Sequence, residues 1–434
     1  MGFFKVNKKS KKSKARLGTI STSHGTVSTP AFVPVGTKGT IKGLLPQLIK
    51  DIHIQISFVN TYHLVTHPGV DVIEKAGGIH TLAKYEIPLM SDSAGFQVFS
   101  LARNKRVASV HGEENPLVVR IYEDGVDFRS VYDGSLYSFS PEKSMEYQRK
   151  IGADIMMAFD ECTDYASSYE YTKKAMNRTH DWLKRCIEYL KQNESLYGYP
   201  QYLYGVIQGG AFQDLREASA RYILKHDTPG VAIGSVANGG ESKRQLREQV
   251  EFVGDYLPAD KPVHLLGIGH FDDIFDTVGY GIDTFDCVEP TRLARMGVVY
   301  VCPISPMKFV SRDQLVTKSQ ALKSRKSETQ SIVEIVEDRS LTQRFGTHTT
   351  DSLINFISSF GQSIDITKNV YKADLSGVDE NCGCYVCTNF TKTYLHHLFK
   401  QKELLGYTLA TFHNLWVMEK FMEAIRFLIG ADLL

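Results

Sequence analysis

Short apolar runs rich in β-branched residues alternate along this chain with longer stretches whose apolar positions recur every three or four residues. The first kind includes 54–59, 155–159, 202–207, 230–233 and 263–267, and predicts strands; the second includes 170–191, 212–226 and 243–256, and predicts amphipathic helices. Strand and helix keep alternating over about 290 residues, which narrows the fold to a (β/α)8 barrel or a doubly wound sheet.

The polar residues choose between the two. Asn60-Thr61-Tyr62-His63, Ser91-Asp92-Ser93, Asp160-Glu161, Gln208-Gly209-Gly210, Gly234-Ser235 and Asp286 each sit at or just after the end of an apolar run. A barrel gathers its chemistry at the C-terminal ends of its strands, so these positions converge on one rim. A doubly wound sheet would carry a glycine-rich phosphate turn after its first strand, and none is evident. Three aspartates stand out on the rim: Asp92, Asp160 and Asp286. Paired carboxylates, one attacking an anomeric carbon and the other moving protons, are what glycosyl transfer through a covalent intermediate requires. The competing reading for any one of them is a helix cap.

With 434 residues, 42% of them hydrophobic and 11% aromatic, the chain can bury a large core and is expected to form one large domain with an appendage, or two domains. Fifty Lys and Arg against 49 Asp and Glu leave a net charge of +1, so any nucleic-acid site must be a local patch. The basic run at 8–16 is one candidate, although such a run at a terminus reads first as a solvated tail. The N-terminus has no apolar run suited to a signal peptide or a membrane span, and Val6 stands where a myristoylation site needs Ser or Thr. A cytoplasmic protein without membrane contact is expected. Cys162, Cys186, Cys287 and Cys302 are scattered without a disulfide framework.

The other three cysteines fall within six residues, Cys382-Gly383-Cys384-Tyr385-Val386-Cys387, and His413 follows to give C-x-C-x2-C-x25-H. Three thiolates and an imidazole suit one tetrahedral, closed and therefore structural zinc ion per chain. His396 and His397 are nearer in sequence, but they lie in a helical stretch that leads away from the knuckle, whereas His413 can return to it.

Taken together, Ser91-Asp92-Ser93-Ala94-Gly95-Phe96-Gln97-Val98, Phe159-Asp160-Glu161-Cys162-Thr163, Gly205-Val206-Ile207-Gln208-Gly209-Gly210, Phe285-Asp286-Cys287-Val288 with Pro290-Thr291-Arg292, and the cysteine knuckle resemble the bacterial-type tRNA-guanine transglycosylases. His24-Gly25-Thr26, 29–37 and Asn60-Thr61-Tyr62-His63-Leu64 agree as well. The resemblance spans roughly residues 15–302 and 364–434. It implies a queuine tRNA-ribosyltransferase activity, in which guanine at the wobble position of a tRNA anticodon is exchanged for a 7-deazaguanine. Asp286 would be the nucleophile and Asp92 the general acid/base. Asp92, Ser93, Phe96, Asp160, Gln208, Gly234, Ser235 and Leu266 would form the base pocket, with Phe96 stacked on the base. Arg292 and Arg295 would hold the anticodon, and a homodimer binding one tRNA is the implied assembly.

The chain departs from the family pattern in places. Ala94 and Leu266 replace a usual glycine and methionine. The segment 234–241 carries one extra residue and ends Gly-Gly-Glu as in queuine-using relatives, while Cys162 is of the bacterial kind. The aminomethyl precursor of queuine is taken as the incoming base, with queuine as the alternative. Four regions are expected: a basic tail (1–14), a (β/α)8 barrel (15–302), a folded insertion atypical of the family (303–363), and a zinc-binding subdomain whose C-terminal helix packs on the barrel (364–434). Two other readings remain: a non-catalytic tRNA-binding partner subunit, and a zinc-stabilised glycosidase acting on small substrates.

Overall fold

The computed structural model describes residues 2–95, 117–130, 132–237, 240–302 and 359–434. Eight parallel strands form the central sheet: β1 (Ala31–Pro34), β2 (Ser57–Val59), β3 (Leu89–Ser91), β4 (Ile155–Met157), β5 (Tyr202–Ile207), β6 (Gly230–Ile233), β7 (Val263–Leu265) and β8 (Thr284–Cys287). Each pairs with its neighbours in sequence, β8 pairs with β1, and a parallel bridge from Val35 to Phe58 closes the ring between β1 and β2. The result is the expected (β/α)8 barrel.

Two-residue periodicity sorts each strand between inside and outside. Ala31, Val33, Val35, Phe58, Met90, Ile155, Met157, Tyr204, Val206 and Ala232 form one buried cluster that fills the barrel. The alternate residues, such as Phe32, Leu89, Met156, Ile207, Ile233, Leu265 and Phe285, join the outer core beneath the helices. Carrying the inner register one step onward leads from Met90 to Asp92, from Val206 to Gln208, from Ala232 to Gly234, from His264 to Leu266 and from Thr284 to Asp286. The pleat that packs the barrel thus aims these five positions at its mouth.

The other end is closed by an antiparallel sheet of Phe4–Lys9, Arg16–Thr22 and Gly25–Thr29, whose Ile20 and Val27 join the inner cluster. The region read as a basic tail, 1–14, therefore contributes a strand, and Lys8 pairs with Asp432 at 3.1 Å. Arg16 holds the sheet to the barrel through the buried Asp283, donating from Nε at 3.0 Å and from Nη2 at 2.6 Å. Asp283 in turn accepts from the backbone N–H of Val263 at the start of β7.

The helices expected from periodicity are present as Tyr169–Gln192, Gln213–Leu224 and Lys243–Gly254. Ser168 and Ser242 cap the first and third by accepting from the third residue on, and Gln245 completes a capping box. A small antiparallel sheet, Leu117–Tyr122, Gly125–Arg129 and Leu136–Phe139, stands between β3 and β4. Trp182 of the first helix ties to it, donating to the Glu123 carbonyl at 2.7 Å.

After β8 the chain forms the helix Glu289–Arg295 and the strand Val298–Tyr300, which pairs antiparallel with Ser363–Asp365. The insertion expected at 303–363 lies outside the described residues up to 358, and its two ends meet in this pairing. A segment that leaves and returns at adjacent points can be added without moving the barrel. The 27-residue helix Leu404–Gly430 then packs against the barrel, where Asn414 donates to the carbonyls of Pro290 (3.1 Å) and Val298 (3.0 Å). Among the described residues no helix is long and apolar enough to cross a membrane.

Candidate active site

At the mouth, Asp92 is 8% exposed and its carboxylate is held from the end of β2. Oδ1 accepts from the backbone N–H groups of Thr61 (2.6 Å) and Ala94 (3.3 Å), and Oδ2 accepts from the Asn60 amide. Thr61 also donates its hydroxyl to the Asp92 carbonyl at 2.6 Å. The turn that follows requires φ = +71° at Ala94, a left-handed conformation in which an alanine is strained by about 1 kcal/mol. A glycine would take this turn without that strain.

Asp286 approaches from β8. Its Oδ1 accepts from the Gly267 N–H at 2.9 Å and lies 3.1 Å from Nε2 of the fully buried His264. The other ring nitrogen of His264 is 2.9 Å from the Thr284 hydroxyl, so the ring bridges Thr284 and Asp286 along the inner face of β7 and β8. His264 was not singled out in the sequence, where it is one polar residue in an apolar strand. Its inward register was the available signal.

Asp160 is the floor of the mouth. It accepts from the Ser93 hydroxyl at 2.7 Å and from the Gln208 amide at 2.6 Å, which joins the ends of β3, β4 and β5. Burial pushes its pKa up to about 6; the Ser93 and Gln208 donors act in the opposite direction. Gly95 packs so closely on Asp160 that a Cβ there would lie 2.4 Å from the Asp160 carbonyl oxygen. Gly234 is constrained in the same way, since its Cβ would meet Gln208 Nε2 at 2.6 Å. The Gln208 Oε1 is buried and accepts no hydrogen bond among the described residues, which makes it an acceptor available to a ligand donor. Ser235, at φ = +52°, accepts from the Thr163 N–H at 2.9 Å and donates towards Cys162 Sγ at 3.3 Å. Leu266 lines the mouth beside the inner cluster. Phe96 lies outside the described residues.

Directly behind the floor, Glu161 is fully buried between Tyr171 (2.7 Å) and Arg178, and Arg178 also holds Glu123 of the small sheet at 2.9 Å. Sequence reasoning missed this network because its members are distant in the chain. Arg292 is exposed and Arg295 half-buried on the helix Glu289–Arg295, immediately past Asp286.

The cysteine knuckle has the shape of a metal centre. The Sγ atoms of Cys382, Cys384 and Cys387 lie 3.8, 3.5 and 3.2 Å from Nδ1 of His413. A tetrahedral zinc with ordinary Zn–S and Zn–N bonds has an S···N edge of about 3.6 Å. His413 places its other nitrogen 2.7 Å from the Tyr300 carbonyl, which fixes the tautomer with Nδ1 as the donor to a metal. His396 is committed to the Ile366 carbonyl at 2.8 Å, leaving His413 as the fourth member of the set.

A second group, His24, His80 and Asp154, lies at the opposite end of the barrel. Its two imidazoles stack at 3.6 Å with their planes 9° apart. In-plane lone pairs on parallel rings do not converge on one ion, so this is a packing cluster around a shared carboxylate.

An eight-stranded parallel barrel with a polar C-terminal rim and a Cys3His clasp defines a (β/α)8-barrel enzyme with a zinc-binding subdomain. Residues 10–434 match the family model described as Queuine tRNA-ribosyltransferase, and the chain belongs to that family. It is 38% identical over 429 residues to a queuine tRNA-ribosyltransferase of Caldanaerobacter subterraneus subsp. tengcongensis, covering 99% of this chain and 94% of the relative. The protein of that name from Thermoanaerobacter pseudethanolicus is 37% identical over the same shares, and one from Staphylococcus aureus is 37% identical over 97% of this chain and 91% of the relative.

Proposed function

We propose that this protein exchanges guanine at the wobble position of a tRNA anticodon for a 7-deazaguanine, through a covalent ester between Asp286 and the ribose. The observation that carries the reading is the placement of Asp92 and Asp286 by the inner register of their strands at one mouth, each held by directed donors, in a chain of this family. Both donors to Asp286 act on Oδ1, so Oδ2 is the oxygen that attacks C1′. Asp92 enters the cycle carrying a proton, which it gives to the departing guanine as the C1′–N9 bond breaks; it regains one from the incoming base, whose nitrogen displaces Asp286. The cycle balances without a cofactor in the chemistry.

Asp160 and Gln208 read the polar edge of the base, Ser93 orients Asp160, and the backbone at Gly234-Ser235 meets the exocyclic oxygen. Leu266 and Phe96 cover its faces. Arg292 and Arg295 hold the anticodon strand beside the scissile nucleotide, in keeping with recognition of splayed single-stranded RNA. A zinc ion held by Cys382, Cys384, Cys387 and His413 would supply structural cross-linking only. We further assign the aminomethyl precursor as incoming base, a homodimer as the assembly and the cytoplasm as the location.

The test is a guanine-wobble tRNA carrying labelled guanine, incubated with each candidate base. The reading expects release of the label by one base from wild type and none from Asp286→Ala. Retention of the label with both bases by a protein that still binds the tRNA would favour a non-catalytic partner subunit.

A further inference from the structure

Arg216 sits on the helix Gln213–Leu224 outside the barrel and is fully buried. Burying a guanidinium costs several kcal/mol unless its N–H groups are satisfied. Here they are directed at neutral acceptors: Nε donates to the Gly210 carbonyl (2.8 Å), Nη1 to Gly234 (2.7 Å), and Nη2 to Ser235 (2.8 Å) and to the Gln249 side chain (3.0 Å). Burial pulls its pKa down to about 10, so the group remains a cation at neutral pH. One cation therefore grips the chain just past β5 and just past β6.

Direction gives this grip a consequence. In a trans peptide the N–H points opposite to the C=O. The carbonyls of Gly234 and Ser235 turn outward to Arg216, so the N–H groups of Ser235 and Val236 turn the other way, towards the side where Gln208 stands. Among the described residues neither N–H donates to another group, whereas the preceding Gly234 N–H is used in the sheet, bonded to Ile207 at 3.0 Å. Ser235 reaches this geometry through its left-handed φ of +52°. Two consecutive N–H groups turned to one side form a seat for an oxygen carrying negative charge. A cation bonded to the carbonyl end of each peptide also strengthens the N–H at the other end.

We propose that Arg216 is a positioning residue that builds and polarises the two-donor seat at which, on the reading above, the backbone past β6 meets the exocyclic oxygen of the base. The proposal rests on the base-exchange reading above. Lysine could not replace Arg216, because a compact ammonium lacks the planar fork that reaches three carbonyls at once.

The test measures equilibrium binding of guanine and of 2-aminopurine, which lacks the exocyclic oxygen, to wild type, Arg216→Lys and Arg216→Met. Thermal melts establish folding and tRNA exchange is assayed in parallel. The expected result is a fall of about tenfold in the guanine preference of the variants, through weaker guanine binding with 2-aminopurine held within about twofold. Equal weakening of both bases, or an unchanged preference in a folded variant, overturns the proposal. Should both variants fail to fold, Gln249→Glu leaves Arg216 in place and offsets its charge; a drop of about threefold in the preference is expected, and no change overturns the proposal. Guanine binding by a wild type that performs no exchange would sink the exchange reading while still testing the seat. A wild type that neither exchanges nor binds guanine would remove both.

Discussion

The barrel mouth and the cysteine clasp both concentrate reactive side chains, and they do so in opposite ways. In the clasp, three of four groups come from six consecutive residues and all four turn to a common centre, which leaves no position for a substrate. In the mouth, the groups come from strand ends spread between Asn60 and Asp286, and each is held from behind by its own donors. Thr61 and Asn60 hold Asp92, Gly267 and His264 hold Asp286, and Ser93 and Gln208 hold Asp160. An inward-turned set makes a brace, while a set held from behind keeps atoms such as Gln208 Oε1 for something else. The brace also serves the mouth, because Asn414, next to His413, bonds the Pro290 carbonyl in the helix that follows Asp286.

The contrast breaks first at Asp286. Asp286→Asn keeps the shape and removes the carboxylate we propose as nucleophile, so exchange is expected to fall by at least about a thousandfold with little change in melting temperature. In the clasp the effects reverse: Cys384→Ser is expected to lose zinc, measured by metal analysis, and to destabilise the fold by more than about 4 kcal/mol. A clasp variant that kept its stability but lost exchange would show that the two regions had been assigned the wrong way round.

Asp160 sharpens the contrast through pH. A carboxyl with a pKa near 6 must be ionised to accept from a base, so the guanine dissociation constant is expected to rise about tenfold per pH unit below 6, and Asp160→Asn should remove that dependence. Stability runs the other way. The folded pKa lies above the ordinary carboxylate value of 3.8, so stability relative to the Asn variant is full below about pH 4 and is lost as pH rises to about 6. Chemical denaturation at pH 4 and pH 7 reads that difference. The smallest effect is expected at Ala94, where Ala94→Gly relieves the left-handed strain and should stabilise by about 0.5 kcal/mol, after the added chain entropy is counted.

Much of this was legible in the sequence because it is local. Apolar runs with polar ends marked most of the barrel strands and their rim, and the cysteine spacing marked the knuckle. What was not legible depends on partners distant in the chain. His264 gains its role from Thr284 and Asp286, and Arg216 from carbonyls past two different strands. The strand Phe4–Lys9 carries the charge of a solvated tail, and only its pairing with Arg16–Thr22 distinguishes it from one. The sheet between β3 and β4 escaped for a similar reason, since nothing in Leu117–Phe139 shows that Trp182 will anchor it.

The central claim is a covalent step at one carboxylate. Wild type and Asp286→Asn mixed with guanine-wobble tRNA, denatured and digested, can be examined by mass spectrometry for a peptide linked to ribose. A nucleotide adduct on Asp286 in wild type, absent from the variant, is the predicted result. Exchange activity with the adduct on Asp92, or undiminished exchange by Asp286→Asn, would contradict it.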